Sequence, residues 1–510
     1  MENKSLWRDT APVDTASDQA TYPTLQEHLT TEIAIVGGGI TGLTLAQALV
    51  QAGRQVVVVE ARTVGSGTTG LSSCHLNTQI DYGYQNVRQS FGPEVMRLVA
   101  ESRRTAIDHI EQQCAGEATR CDFQRVPGFL YAENEQQQQF LLNEFNAAQQ
   151  AGLSVTLRNQ IDFPIAIKKA IEYPNQAQFN SQKYVNHLAA QLNASEQARV
   201  YENTRVTDVS LKDKKVTTEQ GSISAQQIVL ATHLPLLIDV LQTMASPYRS
   251  YMVVAEVDPE VPEGLYWDLQ DPYHYTRYYR QGDKTWLAVG GEDHKTGHNE
   301  QNPDNYEKLK QYVQAHFNVK AFTHQWSSQY YEPADGLPYI GLSPFKNVYV
   351  ATGYSGDGLV YGTVAGLLLK DLILHQENDW AKAYDARRFK PVASFKQWAQ
   401  ENIEVVSDFV KDYLGGSDEV ADIPQGEGRV VSQDNQKYAV YRNETGELTA
   451  LSAVCPHLKC IVHWNTQEKS WDCPCHGSRF TPEGELLVGP AVTDLEKKTL
   501  ENFTEKSAQA

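Results

Sequence analysis

The chain has 510 residues, of which 41% are hydrophobic and 21% are charged, and its formal net charge is -19. This length exceeds what one hydrophobic core usually organises, so two or more domains are expected. The acidic balance argues against nucleic-acid binding, which needs a basic surface. The sequence contains no run of 18 apolar residues, so no transmembrane helix is expected. The polar segment Met1–Thr31 lacks the features of a secretion signal. The expected location is the cytoplasm.

The first predicted elements are a strand, a glycine-rich turn, a helix and a second strand. Glu32–Val36 is a short apolar run, a helix begins near Leu43, and Gln55–Glu60 contains four consecutive valines. Because β-branched residues favour strands, this order predicts a βαβ unit that opens a doubly wound sheet.

The turn at residues 37–42 has the pattern G-x-G-x-x-G. In this pattern Gly37 allows a tight turn, Gly39 lets a pyrophosphate approach the backbone, and Gly42 lets the helix pack against the strand. Glu60 follows Gly42 by 18 residues, where a carboxylate can accept hydrogen bonds from ribose hydroxyls. The pattern predicts a dinucleotide site; the alternative is a purely structural turn. It does not separate FAD from NAD.

Further along the chain, Gln227–Thr232 and Asn347–Thr352 are predicted strands, and Val364–His375 is a predicted helix. The tyrosine-rich stretch Arg249–Gly291 predicts an antiparallel sheet that forms a second, substrate-facing layer.

Four side chains of the predicted strand Tyr273–Arg280 share one face by the two-residue period: Tyr273, Tyr275, Arg277 and Tyr279. This face could form an amine-binding pocket, or its tyrosines could simply pack the sheet. Tyr275, Arg277 and Tyr251 are the candidate catalytic and substrate-pocket residues. His75 is a further candidate, although its position is more typical of a hydrogen-bonded turn.

The last part of the chain has a different composition. An amphipathic helix is predicted from Ser394 to Leu414, ending at Gly415-Gly416, and an acidic linker follows. Short strands with turn signals then predict a small all-β domain. The predicted domains are an N-terminal extension (1–30), an oxidoreductase domain (31–393), a helix with its linker (394–427) and the β domain (428–505).

The β domain contains Cys-x-His and Cys-x-x-His, formed by Cys455, His457, Cys473 and His476. Two thiolates for one iron and two imidazoles for the other are the ligands of a Rieske [2Fe–2S] cluster. Zinc is the competing reading, since the same four ligands suit tetrahedral Zn²⁺. The segment Cys473-Pro474-Cys475-His476-Gly477-Ser478 resembles the Rieske family rather than a zinc site.

The resemblance to respiratory-type Rieske proteins has three implications. It places Cys460 and Cys475 in a disulfide that braces the two cluster loops. It makes Ser478 a hydrogen-bond donor to the cluster. It also places Phe480 where high-potential members have a tyrosine, which implies a lower reduction potential.

The remainder of the chain resembles the D-amino-acid-oxidase superfamily, which includes glycine and sarcosine oxidases. The resemblance lies in residues 37–70, in Val229–Thr232 and in the stretch from Asp335 to Gly358. It implies bound FAD, oxidation of a C–N bond, and these FAD-binding positions: Gly37, Gly39, Ile40, Thr41, Gly42, Glu60, Ala61, Arg62, Thr68, Thr69, Val206, Thr232, Gly353, Ser355, Gly356, Gly358 and Leu359.

Several positions depart from the family pattern. Matched to sarcosine oxidase, the substrate-carboxylate arginine falls on Gln79 and its companion lysine on Val360. The lysine that favours oxygen reduction falls near Ala288, which implies a dehydrogenase rather than an oxidase. The flavin-attachment cysteine falls near Ser328, which implies non-covalent FAD.

The expected fold class is therefore α/β plus all-β: a Rossmann-like FAD-binding domain with an antiparallel substrate layer, followed by a small Rieske β-sandwich. The expected function is an FAD-dependent amine or amino-acid dehydrogenase that passes electrons through the Rieske cluster to an external one-electron acceptor, a protein or a quinone. One alternative is a redox carrier or sensor without a small substrate. Another is a Rieske oxygenase, which needs a mononuclear iron held by two histidines and a carboxylate; the candidate ligands in this sequence are Asp293, His294 and His298.

Overall fold

The structure, a computed structural model, describes residues 4–11, 22–116, 121–236, 239–258, 262–298, 304–388, 420–433 and 436–499. The chain forms two compact units. The first comprises Met1–His233, Ser250–Asp293 and Asn305–Phe389; the second comprises Leu234–Arg249, His294–Asp304 and Lys390–Ala510. The helix expected at 394–414 and the start of the linker lie outside the described residues. Within the described ranges, no helix has both the length and the apolar composition that crossing a membrane requires.

The helices and strands follow one another along both units. The helices are α1 (Leu6–Asp9), α2 (Ile40–Gln51), α3 (Tyr84–Phe91), α4 (Pro93–Cys114), α5 (Glu135–Gln150), α6 (Ser181–Asn193), α7 (Asp239–Gln242), α8 (Asn305–His316), α9 (Gly358–Ile373) and α10 (Ala381–Tyr384). The strands are β1 (His28–Val36), β2 (Val56–Val59), β3 (His75–Leu76), β4 (Gln124–Ala132), β5 (Thr156–Arg158), β6 (Lys169–Gln178), β7 (Ala198–Tyr201), β8 (Val206–Ser210), β9 (Lys215–Thr218), β10 (Ser222–Leu230), β11 (Ala245–Val257), β12 (Leu265–Trp267), β13 (His274–Gln281), β14 (Lys284–Lys295), β15 (Val319–Pro333), β16 (Tyr339–Leu342), β17 (Val348–Thr352), β18 (Glu427–Gln433), β19 (Gln436–Arg442), β20 (Leu448–Ser452), β21 (His463–Asn465), β22 (Ser470–Asp472), β23 (Arg479–Phe480) and β24 (Leu486–Val488).

An eight-stranded sheet in the first unit contains the predicted βαβ unit. Its main path runs β16-β17-β10-β1-β2-β7, with β8 and β9 attached beside β10. The central strand β1 pairs in parallel with both β10 and β2. All four valines of β2 are buried, as expected for a strand covered on both faces.

Two helices pack closely against each other beside this sheet, and glycine makes their approach possible. A Cβ atom on Gly362 of α9 would lie 2.8 Å from the side chain of Ile40 on α2. One turn later, a Cβ atom on Gly366 would lie 2.8 Å from the side chain of Thr44. Any larger residue at either position would force α9 away from α2.

A nine-stranded sheet forms the second layer of the first unit. Its path runs β15-β11-β14-β13-β12-β4-β6-β3, with β5 beside β6. β13 pairs antiparallel with both β12 and β14. This sheet confirms the predicted tyrosine-rich second layer. Its far face packs on a separate apolar cluster that includes Tyr251, Tyr266 and Tyr306.

The second unit contains the small β domain. In its described part, β18, β19 and β20 form one antiparallel sheet and β21 to β24 form another. Leu451, Trp471 and Phe480 are fully buried in its core. Gly428 has no room for a side chain, because its Cβ atom would lie 2.6 Å from Trp464. The prediction of a small all-β domain in the last part of the chain is confirmed.

Candidate functional site

The N-terminus of α2 is open to an anion. Gly37 has a φ of +117°, and a Cβ atom there would lie 2.4 Å from the carbonyl oxygen of Ala231, so only glycine fits the turn. Gly39 caps the helix without a side-chain hydrogen bond, and the first turn of α2 carries no acidic residue. The N–H groups of its first turn and the helix dipole therefore favour a phosphate.

Glu60 follows β2 and lies beside this turn. Its carboxylate accepts hydrogen bonds from the backbone N–H of Gly38 at 2.8 Å and of Arg62 at 3.0 Å. The acidic side chain is thus held next to the phosphate turn, at the place where a ribose hydroxyl is expected in this type of site.

Further sequence-predicted FAD positions lie at the start of α2, on the segment that contacts it, or on the same sheet. Thr69 Oγ1 accepts a hydrogen bond from the N–H of Ile40 at 3.1 Å. Thr68 Oγ1 donates to the carbonyl of Gln329 at 3.2 Å, and Thr41 shares a 3.2 Å hydrogen bond with the Tyr354 hydroxyl. Ala61 follows Glu60 directly, Thr232 follows β10 by two residues, and Val206 is the buried first residue of β8.

A second helix N-terminus, that of α9, completes the cradle. The preceding loop turns through Gly353 and Ser355, whose φ angles are +73° and +50°. Asp357 is the N-cap residue but makes no capping hydrogen bond. A Cβ atom on Gly358 would meet no described heavy atom within 4 Å. Two glycine-lined helix ends, one of them facing open space, fit a flavin dinucleotide.

Acidic and phenolic groups lie next to the loop that precedes α9. Asp81 Oδ2 accepts a hydrogen bond from the N–H of Gly356 at 3.1 Å, and the Tyr273 hydroxyl lies 3.3 Å from the Cβ position of Gly356. Asp293 accepts a hydrogen bond from the Tyr330 hydroxyl at 2.9 Å. Asp81 is an exposed residue, although neighbouring protein groups enclose its carboxyl group.

The pKa values of both carboxyl groups reflect this setting. Desolvation raises the pKa of Asp81 well above its usual value, and the charges of Asp357, Asp293 and Glu332 act in the same direction against Arg103. Desolvation also raises the pKa of Asp293 to about 6, although neighbouring hydroxyl groups oppose it.

The side chains on the predicted face of β13 differ in burial and in the groups that they contact. Tyr275 is half-buried, contacts His75 edge-on and shares a 2.9 Å hydrogen bond with Ser250. Arg277 is fully buried: it donates to the carbonyl of Cys74 at 2.9 Å, and its guanidinium lies 4.6 Å from the Trp7 ring centre.

Tyr279 also packs against Trp7, edge-on at 5.4 Å. Tyr251 is fully buried and packs on Tyr306 in the apolar cluster behind the sheet. Only the Tyr273–Tyr275 end of the predicted face therefore lies beside the acidic groups, and a substrate role for the candidates remains a prediction.

In the second unit, two loops of matching geometry carry the four predicted cluster ligands. The N–H of Lys459 donates to the carbonyl of Cys455 at 3.1 Å, and the N–H of Gly477 donates to the carbonyl of Cys473 at 3.0 Å. Both donor residues have positive φ, +66° and +75°. Each loop thus forms one tight turn that starts at a cysteine ligand position.

The donor atoms on these loops fit a Rieske cluster. Cys455 and Cys473 are buried free thiols, and the hydrogen bond between them lowers the pKa of Cys455 while it raises the pKa of Cys473. The imidazole rings of His457 and His476 lie 5.0 Å apart. Burial lowers the pKa of His476 to about 4, which keeps the ring neutral as metal binding requires. Nδ1 of His476 is a buried atom to which no described group hydrogen-bonds.

Three neighbouring features support the loops. Cys460 and Cys475 form a disulfide, as the sequence predicts, and the sulfur atoms of this pair and of Cys473 lie within 4.8 Å of one another. Ser478 Oγ accepts a hydrogen bond from the N–H of Ala491 at 2.9 Å. Phe480 is fully buried.

Sequence reasoning missed several residues of these sites. Asp81 and Gln242 lie outside every motif, and their position follows only from the folded chain. The sequence indicates Asp293 only as an iron ligand in the oxygenase alternative. In the structure, Asp293 binds the Tyr330 hydroxyl and His294 donates from Nδ1 to the carbonyl of Lys295 at 2.9 Å.

Comparison with known proteins assigns a family to each of the two regions. The model of the FAD-dependent oxidoreductase family matches residues 32–372, and the model of the Rieske [2Fe-2S] domain matches residues 417–502. YhfW of Bacillus subtilis (strain 168), described as a Rieske 2Fe-2S iron-sulfur protein, is 32% identical over 494 residues, which is 96% of this chain and 97% of the relative. Gamma-glutamylputrescine oxidoreductase of Escherichia coli (strain K12) is 25% identical over 70% of this chain and 87% of the relative.

Solved structures show the same fold. The crystal structure of glycine oxidase from Geobacillus kaustophilus matches 71% of this chain and all of that chain, with a TM-score of 0.59 and 20% identity. The chain belongs to the FAD-dependent oxidoreductase family. It is an oxidoreductase that binds FAD and carries a C-terminal Rieske domain for a [2Fe–2S] cluster, which confirms the predicted family, fold class and cofactors.

Proposed function

We propose that this oxidoreductase is a dehydrogenase of an amine or amino-acid-like substrate, and that the electrons leave through the Rieske cluster to an external one-electron acceptor. Bound FAD supplies a two-electron acceptor and the cluster a one-electron carrier. The oxidised bond is the carbon–nitrogen bond of the substrate. The final acceptor is a protein or a quinone.

The observation that carries the proposal is the charge beside the loop that precedes α9. The charges of Asp293 and Glu332 are close enough to raise the pKa of Asp81, and the hydroxyl groups of Tyr273 and Tyr330 act on Asp293. Carboxylates and aromatic rings attract an ammonium group. Such surroundings favour a cationic amine over a free carboxylate.

Buried arginines of the first unit are engaged elsewhere, which supports the same choice. Arg103 pairs with Asp357 at 2.8 Å, and Arg277 donates to the backbone carbonyls of Cys74 and Phe179. The positions that resemble the family's carboxylate-binding residues hold Gln79 and Val360. A relative named gamma-glutamylputrescine oxidoreductase, whose name describes a diamine derivative, is consistent with an amine substrate.

The residues have distinct roles in this proposal. Asp293 pairs with the ammonium group, and Asp81, whose raised pKa favours the neutral acid, accepts a hydrogen bond from it and holds the adjacent carbon beside the loop at Gly356. Because its pKa is about 6, the carboxylate of Asp293 can accept the ammonium proton near neutral pH. The neutral amine then gives up a hydride from carbon, which the two-electron chemistry of bound FAD would take, and a proton from nitrogen, which passes to solvent, and an imine is left. Two equivalents of the one-electron acceptor are reduced per substrate.

The test is an anaerobic titration of the holoprotein with monoamines, diamines, N-methyl amino acids and cyclic imino acids. Flavin absorbance follows substrate oxidation, and low-temperature EPR follows the reduced cluster. The expected result is flavin bleaching by an amine, followed by growth of the cluster signal. The variant Asp293→Asn should need a higher amine concentration for half-maximal flavin bleaching. The control Asp208→Asn, at an exposed position of β8, should behave as the parent.

Failure of all compounds to bleach the flavin would contradict the proposal. If dithionite-reduced cluster then passed electrons to the flavin, the carrier reading would replace it. If amino acids bleached the flavin and amines did not, the proposal of a cationic amine substrate would be wrong, whereas the proposal of a dehydrogenase would stand.

A further inference from the structure

Two segments from the oxidoreductase part of the sequence belong to the second unit with the Rieske loops. They are Leu234–Arg249 and His294–Asp304. The second segment lies against one ligand loop, since a Cβ atom on Gly297 would be 2.6 Å from Cα of Pro474. The first segment reaches the other ligand loop through Gln242.

Gln242 makes a direct contact with a cluster ligand. Its Oε1 lies 2.9 Å from Nε2 of His457, and its side chain is only 1% exposed. The other amide atom, Nε2, donates to the carbonyl of Pro235 at 2.8 Å. Both polar atoms of this buried amide therefore have a hydrogen-bond partner.

The contact fixes the tautomer of His457. Because the amide NH₂ of Gln242 faces the carbonyl of Pro235, its oxygen must face His457, and an oxygen can only accept. His457 therefore carries its proton on Nε2 and leaves Nδ1 without one. Nδ1 is then the ring nitrogen that can bind iron, so Gln242 orients the ligand from behind.

Further contacts hold the Gln242 segment in place. The N–H of Thr296 donates to the carbonyl of Pro247 at 3.0 Å. Arg249, fully buried, lies 4.0 Å from Asp472 on β22. Burial would raise the pKa of Asp472, but the guanidinium groups of Arg479 and Arg249 lower it, which keeps the carboxylate charged.

We propose that Gln242 is a positioning residue of the Rieske cluster that fixes the His457 ligand and sets the reduction potential of the cluster. The N–H of an iron-bound imidazole is more polarised when the cluster is oxidised, so its hydrogen bond to Gln242 is stronger in that state. Gln242 thereby stabilises the oxidised cluster and lowers its potential. The segment around Gln242 is part of the cluster site although it lies outside the sequence matched by the Rieske family model.

The experiment compares the full-length protein with Gln242→Leu and Gln242→Glu. The midpoint potential is measured by redox titration with EPR detection, with the g-values and the iron content recorded for each variant. Leucine removes the acceptor and should shift the equilibrium about tenfold towards the reduced cluster, which is ~59 mV upward for one electron. Glutamate keeps an acceptor and adds negative charge, so its potential should equal or fall below that of the parent.

The control is Gln178→Leu, another buried glutamine, which donates to Gln124 in the first unit. It should leave the potential and the g-values unchanged. Loss of iron in Gln242→Leu with retention in Gln242→Glu would also support the proposal, because only the acceptor differs. A parental potential and parental g-values in both Gln242 variants would overturn it, whatever their stability.

Discussion

Arg103 donates a hydrogen bond to Asp357 across 2.8 Å, and almost no part of either side chain is exposed. The same guanidinium donates to the backbone carbonyls of Asn77 at 2.9 Å and Gln79 at 2.8 Å. One residue of α4 therefore holds both the N-cap of α9 and the strand end that leads to Asp81. The ion pair links the helical layer to the loop that precedes α9.

Replacing Arg103 by methionine should destabilise the first unit strongly. The substitution leaves the Asp357 carboxylate buried without its partner, so the free energy of unfolding should fall by about 3–5 kcal/mol. Urea unfolding of the holoprotein measures the loss, and flavin release should begin at lower urea. The matched control is Arg54→Met, since Arg54 pairs with Glu32 at 2.7 Å in a partly exposed setting. That change should cost about 1 kcal/mol or less; equal losses would refute the special role of the buried pair.

Gly42→Ala should abolish tight flavin binding. The added Cβ atom would lie 2.0 Å from the carbonyl oxygen of Gly37, so α2 would have to move away from β1 and its N-terminus from the phosphates. The ratio of flavin to protein after purification measures this. Gly53→Ala adds a methyl group in a turn with no described atom within 4 Å and should retain flavin despite its positive φ. A fully flavinated Gly42→Ala protein would contradict the packing argument.

The cysteines of the second unit should separate into two functional classes. Cys473→Ser removes a cluster ligand and should eliminate the [2Fe–2S] absorbance and the iron. The double variant Cys460→Ser and Cys475→Ser removes the disulfide, which spans 15 positions, and should lower the stability of this unit by about 3 kcal/mol while it keeps the cluster. Iron analysis and thermal unfolding distinguish the two outcomes. Retention of iron by Cys473→Ser would refute the ligand assignment.

Amine binding should strengthen as the pH rises through about 6. Burial raises the pKa of Asp293 to about 6, so below that pH its carboxyl is neutral and does not attract an ammonium group. Affinity for a cationic amine should fall by about tenfold per pH unit below 6. Stopped-flow flavin reduction at several amine concentrations gives the apparent dissociation constant. Asp293→Asn should remove the pH step and Asp208→Asn should keep it; a step that persists in Asp293→Asn belongs to another group.

Part of this molecule can be predicted because its signals are local. The valines of β2 and the glycines at 37, 39 and 42 lie within one βαβ unit, where spacing alone determines position. The same holds for the two cluster loops, because each ligand pair is separated by only one or two residues. The second-layer sheet is predictable from its β-branched and aromatic composition.

Other parts could not be predicted, because they depend on long-range packing. The two-residue period predicts that Tyr275 and Arg277 share one face of β13, but it does not predict how deeply each side chain is buried. Arg277 is covered by Trp7, which lies on a helix 270 positions earlier in the chain. Asp81 and Asp293 meet only through the folded sheets. Gln242 lies in a four-residue helix with no recognisable pattern, so nothing local indicates that it contacts His457.

The N-terminal tetrapeptide helix has a practical consequence. Trp7 is fully buried, its indole N–H donates to the carbonyl of Ser72 at 2.7 Å, and it covers Arg277. The family match begins only at residue 32, so a truncation designed from that boundary would discard this indole. Its removal would leave a cavity next to β13, and water would reach the guanidinium of Arg277, which is fully buried in the intact chain. Expression work on this protein should therefore retain its first residues and attach affinity tags at the other end.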